Sequence, residues 1–152
     1  MIKNVFTTDV ACEIIDRINK LSPQSKSLWG TMNVGQMLAH CNVTYEMVYE
    51  DKHSKPKGLM RFILRTFVKK LVVSEKMFGK GKPTAPQFIM KDEKDFEAER
   101  QRLIEYITRT QQLGESHFDR KESHSFGVLS KNEWNNMFYK HLDHHLNQFG
   151  VN

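Results

Sequence analysis

Five residues near the C-terminus, Trp134, Phe138, His141, His145 and Gln148, follow one another at steps of four, three, four and three. That spacing places all five on one face of an α-helix, where positions three and four apart lie one above another. Trp134 and Phe138 drive the face into an apolar core, and the same face then carries two imidazoles inward, one turn apart. A chain that buries such a face must supply other helices to cover it. It must also supply partners for the rings, because an unpaired polar group in a core is costly. Two adjacent buried histidines are either neutral and hydrogen-bonded or bound to a metal ion.

The rest of the chain supplies those covering helices. Val10, Ile14, Ile18 and Leu21 recur at steps of three and four, with Thr7 or Thr8 able to cap the start and Ser22-Pro23 to end the helix. Asn33 and Gln36 form a reciprocal cap, followed by Met37, Leu38, Cys41, Tyr45 and Val48, so a second helix is expected from about Val34 to Tyr49. After a linker around Pro56, Leu59, Ile63, Phe67 and Leu71 mark one face of a third. Its opposite face carries Arg61, Arg65 and Lys69, a basic stripe that can touch lipid or phosphate but is expected simply to be solvated. Gly79 to Pro86 reads as a long surface loop. Asp92 is a candidate cap for a fourth helix with Phe96, Leu103 and Ile107 inward, ending at Gly114. Ser130 and Glu133 form a capping box that starts the last helix near Lys131, and it ends near Phe149-Gly150. With no convincing β alternation, the expected fold is all-α: a four-helix bundle with a short or peripheral additional helix.

At 152 residues the chain suits one domain, 1-152. Its 39% apolar and 27% charged residues exclude a disordered chain. Cys12 and Cys41 lack C-x-x-C spacing, so free thiols and a cytoplasmic setting are expected. Met1 to Phe6 meets Asp9 and Glu13 before reaching the length of a signal-peptide core. Leu59 to Val73 is broken by Arg61, Arg65, Lys69 and Lys70, short of the roughly 20 uncharged residues a span needs. No stable membrane insertion is expected. The net charge of +5 sits mainly in Lys52 to Lys82, without any motif that reads bases, so nucleic acid is not expected as a partner.

The H-x-x-x-H pair at His141 and His145 lets two imidazole nitrogens reach one ion at about 2.0–2.1 Å. His40, in the middle of the second helix, is the candidate third ligand, since facing helices of a bundle can share a metal. The competing reading leaves the rings hydrated or hydrogen-bonded within the core. His144 is also one turn from His141 but lies about 80° off the inward face, which makes it a second-shell or surface residue.

The string Trp134-Asn135-Asn136-Met137-Phe138-Tyr139-Lys140-His141-Leu142-Asp143-His144-His145-Leu146-Asn147-Gln148-Phe149-Gly150 resembles the C-terminal signature of a domain-of-unknown-function branch of the DinB/YfiT-like superfamily. Trp29 to Cys41 is similar to that branch's second-helix motif, and Pro83-Thr84-Ala85-Pro86 to its central loop. The resemblance implies an up-and-down-like four-helix bundle with a metal on one histidine of the second helix and an H-x-x-x-H pair of the last: His40, His141 and His145. Asp143 and Gln148 also match, and either can orient an imidazole from the second shell. One stretch departs from the pattern. The branch places an H-P-x-F-G type turn before the last helix, where this chain reads Ser123-His124-Ser125-Phe126-Gly127. His124 can still line the pocket mouth, but a plain loop histidine is the simpler expectation.

Three neutral histidines leave an open coordination position, the mark of catalytic rather than closed sites. The resemblance implies thiol-dependent transferases and some hydrolases, with a small-molecule substrate or low-molecular-weight thiol as partner; imidazole donors make zinc, nickel or iron the expected divalent transition metal. The alternative is a non-catalytic metal or small-ligand binding module. No general acid or base is legible, as Glu46 and Glu50, within three turns of His40, are expected to be solvated. Bundles of this size often pair through an exposed helix face, so a homodimer belongs among the expectations.

Overall fold

The computed structural model describes residues 1–152. Its main helices are α1 (Thr8–Asn19), α2 (Val34–Tyr49), α5 (Phe96–Phe118) and α6 (Lys131–Gln148). Between α2 and α5 run α3 (Gly58–Ile63), a π turn (Leu64–Val68), α4 (Lys69–Val73) and a short 3-10 turn (Pro86–Phe88). The protein is predominantly all-α, compatible with a helical bundle. No helix is long and apolar enough to cross a membrane.

Both capping boxes read from the sequence are present. Asn33 accepts from the Gln36 amide while Gln36 returns a bond to Asn33, and Ser130 and Glu133 do the same for α6. Each satisfies two amides that the helix start would otherwise leave open. Asp95, rather than Asp92, caps α5 by accepting from the Ala98 amide. Gly114 adopts φ 71 and ψ 170 inside α5. These angles are not helical, so the helix from Phe96 stops at Gly114 as the glycine predicts, and a short further helical segment continues past the kink to Phe118.

The core is built where the apolar faces meet. α2 is buried on most of its circumference, with Met37, Leu38, Cys41 and Tyr45 almost wholly enclosed. Tyr45 stacks on Phe138 at 5.1 Å and on Tyr106 at 5.6 Å, while Phe138 stacks on Trp134 at 5.5 Å. Each large side chain enclosed in this way contributes about 1.5–3 kcal/mol relative to exposure. The aromatic column fixes the rotation of α6 about its own axis, and that rotation decides where the next turn of α6 points.

Two features depart from the sequence reading. Lys121–Ser123 and Gly127–Leu129 form a small antiparallel hairpin, with Lys121 opposite Leu129 and Ser123 opposite Gly127. The second departure concerns Gly58–Val73, whose basic side was expected to be solvated. Instead Lys69 pairs with Glu133 at 3.0 Å and donates to the Val128 carbonyl, and Arg65 reaches Glu122 at 3.3 Å. Leu59, Phe67 and Leu71 are exposed. Acceptors on the hairpin and α6 thus draw Arg65 and Lys69 inward, while Arg61 stays exposed as expected and the apolar side faces out.

The far end of that segment is fastened by Lys140. Its ammonium is completely buried and donates to the carbonyls of Leu71, Val72 and Ser74 at 2.9, 3.0 and 2.7 Å. Asn136 adds a bond to the Val73 carbonyl at 2.9 Å. Three protons meeting three acceptors compensate a charge that burial would otherwise make expensive.

Candidate metal centre

Directly after the aromatic column, α6 presents His141 and His145, and α2 presents His40 opposite them. One ring nitrogen from each of the three lies within 4.8 Å of the others. Ring centroids are 4.9 Å apart for His40 and His141, 4.5 Å for His40 and His145, and 4.9 Å for His141 and His145. The two Nε2 atoms of His40 and His141 approach to 3.0 Å.

The outward nitrogen of every ring meets an oxygen. His40 Nδ1 lies 2.8 Å from the Phe88 carbonyl, which can only accept, so the proton of that ring sits on Nδ1 and the Nε2 lone pair is free. His145 Nδ1 lies 2.8 Å from Gln148 Oε1. Gln148 is itself oriented, because its Nε2 donates to the Trp29 carbonyl at 2.7 Å, and that leaves only its oxygen to face the imidazole. This reach depends on Gly30: φ is +81°, and a Cβ there would stand 2.6 Å from Gln148 Nε2. His141 Nδ1 lies 3.0 Å from Thr44 Oγ1. A hydroxyl can donate or accept, so His141 alone has a choice of tautomer.

That choice lets one set of side chains serve two states. Without an ion, Thr44 donates to His141 Nδ1, and the His141 Nε2–H donates to His40 Nε2. With an ion, the hydroxyl accepts from Nδ1–H, and all three Nε2 lone pairs are available. Donors around a tetrahedral zinc at 2.0–2.1 Å stand about 3.4 Å apart, close to the 3.0 Å found between His40 and His141. The residues present therefore fit a three-histidine metal site, and the group could hold a metal ion.

The electrostatics keep the rings neutral. Burial pushes the pKa of His141 well below its ordinary 6.5, and the neighbouring His145 and His40 push in the same direction. Burial takes His145 down to about 3 and also lowers His40, against the opposing bond from Phe88. Neutral imidazole is the form that binds metals.

Aromatic rings cover the cluster. Phe88 stands 5.2 Å from His40 and 5.8 Å from His141, measured between ring centroids. His144 lies 5.0 Å from His145, flanked by Trp29 at 5.8 Å and Phe78 at 6.0 Å. It is outside the three-donor group, at the edge where Lys80 also sits 4.3 Å over the Trp29 ring.

His40, His141 and His145 are thus brought together, and Gln148 contacts one of them. Asp143 is not: it pairs with Arg17 of α1 at 2.9 Å and accepts from Asn147. His124 bonds to Ser125 Oγ and the His53 carbonyl, which holds it against the α2–α3 connection. Glu46 is buried rather than solvated, and Arg102, His53 and Lys52 surround it. The sequence reading passed over Thr44, Phe88 and Gly30 as supports of the imidazoles. Thr44 had a signal, four residues after His40 on the same face. Phe88 acts through a backbone carbonyl, which carries no residue-specific mark.

The family described as "Protein of unknown function (DUF1569)" matches residues 5–152. No curated protein and no solved structure matches the chain.

Proposed function

We propose that this chain, which belongs to the DUF1569 family, holds one divalent transition-metal ion on His40, His141 and His145 and uses it on a small-molecule substrate. The observation that carries this reading is the common direction of the three rings, each with Nδ1 tied outward to an oxygen and Nε2 left for a shared centre. A helical bundle with this donor set also supports placing the chain in the DinB/YfiT-like superfamily.

Zinc, nickel and iron all suit imidazole donors. When bound, such an ion supplies Lewis acidity, which brings the pKa of water toward about 7 and holds a thiol as thiolate. Three protein donors leave a position for an exogenous ligand. No carboxylate stands among the donors, so the positive charge of the ion would be uncompensated, and an anionic or ionisable ligand is favoured. A low-molecular-weight thiol meets that requirement, with thiol transfer as the leading reaction and hydrolysis as its counterpart. The chain's own part is to orient the rings through Phe88, Thr44 and Gln148, and to keep bulk water off them with Phe88.

A second reading, a non-catalytic metal or small-ligand module tying α2 to α6, is favoured by the depth of two of the rings: His40 and His145 are only 5% and 7% exposed. Elemental analysis of untagged protein tests metal binding itself. The expected result is about one ion per three-histidine site, lost in His141→Ala with the helical spectrum retained. Full metal in His141→Ala would eliminate this ligand set. Enzyme and module are then separated by screening the metal-loaded protein against electrophiles with several cellular thiols. Turnover that His141→Ala abolishes supports the enzyme. No turnover, with a melting temperature that falls on metal removal, supports the module.

A further inference from the structure

Gly58–Val73 turns six large apolar side chains away from the protein. Leu59 is 74% exposed, Phe62 60%, Phe67 68% and Leu71 55%, with Met60 and Ile63 beside them. A contiguous apolar stripe of this kind marks a contact surface, whereas single exposed apolar residues do not.

The charges around the stripe identify what it meets. Lys52 to Lys82 contains ten lysines and arginines against one carboxylate, Glu75, while the rest of the chain has thirteen cations and seventeen carboxylates. Two copies meeting stripe to stripe would bring two strongly cationic segments together, which like-charge repulsion opposes. Head-to-tail pairing would set the stripe on a surface whose exposed large apolar residues, such as Leu28, Leu113 and Val128, stand on separate elements. Nucleic acid would engage the cations and leave Phe62 and Phe67 in water. An anionic bilayer surface takes both parts: the apolar side chains enter the headgroup–acyl boundary while the exposed Lys57, Arg61 and Lys70 meet the headgroups.

We infer that Gly58–Val73 is an interfacial anchor that docks this protein on bilayers rich in anionic lipid. Laid flat, the rod is about 24 Å long at 1.5 Å per residue. Its inner side is fixed to the protein by Lys140, Lys69 and Asn136. The apolar side is therefore held outward before any membrane is met, which lowers the ordering cost of docking. The inference is independent of the metal proposed above.

Vesicle flotation of the full chain tests it, comparing phosphatidylcholine alone with phosphatidylcholine containing about 30% phosphatidylglycerol. Binding to the anionic vesicles is expected to exceed binding to neutral ones by roughly tenfold or more, and to weaken in high salt. Phe62→Ser with Phe67→Ser should abolish flotation while leaving the melting temperature unchanged. Phe67→Trp should keep flotation and show a blue-shifted emission on binding. Absence of flotation would overturn the inference. So would flotation that the double serine variant leaves intact, or a concentration-dependent dimer that this variant dissolves.

Discussion

Thr44 Oγ1 stands 3.0 Å from His141 Nδ1 and lies one helical turn after His40 on α2. It is the one partner in the cluster able to reverse the direction of its bond, so it decides which tautomer of His141 prevails. Thr44→Val should lower metal affinity by about 10–100-fold, the usual cost of losing a group that orients a ligand. Thr44→Ser should restore most of it. Competition titration against a chromophoric chelator measures both.

Gly30 and Gln148 form a second support. In Gly30→Ala the new methyl would stand 2.6 Å from Gln148 Nε2 at a backbone φ of +81°. The expected cost is about 1–3 kcal/mol of stability, from left-handed strain and a displaced amide. His145 would lose its fixed acceptor, so metal affinity should fall as well. Gln148→Ala should reproduce the loss of affinity without the backbone cost, which separates the two effects by calorimetry and metal titration.

The buried rings set a pH dependence in the metal-free protein. Burial holds the His145 pKa at about 3 against an ordinary 6.5, so between those values the unfolded chain takes up a proton that the folded one refuses. This contribution is fully present above pH 6.5 and is lost as pH falls toward 3. Denaturant midpoints in the presence of a chelator should decline below pH 6.5, and His145→Gln should flatten the decline.

Lys140→Met would leave the Leu71, Val72 and Ser74 carbonyls without their shared donor. The expected destabilisation is about 2–4 kcal/mol, because buried acceptors are costly to strand. Hydrogen exchange should rise first across α4. An unchanged exchange pattern there would show that the ammonium does not fasten the segment.

The sequence made legible what rests on local pattern. Both capping boxes and the inward face of α6 follow from side chains three and four positions apart, and the helical fold needs little more. What escaped it depends on other kinds of information. Periodicity gave Leu59, Ile63, Phe67 and Leu71 a shared face, yet the direction of that face was settled by Glu122 and Glu133, distant in the chain. Three-residue strands are too short to display an alternation. Lys140 carries no local mark of its role, since nothing nearby in sequence announces three converging carbonyls. At the imidazoles, the rings themselves were readable from residue type and spacing, whereas the carbonyl partner at Phe88 comes from the backbone.

The capping boxes have a consequence for insertions and deletions. His40 comes seven residues after the Asn33 cap and His141 eleven after Ser130. At about 100° per residue both intervals are within roughly 20° of whole turns, so each cap serves as the angular origin for its imidazole. Adding or removing one residue between cap and ring would swing that ring by about 100°, even where the bundle absorbed the change. Natural length variation in this family should therefore fall in the connecting loops and spare these two intervals.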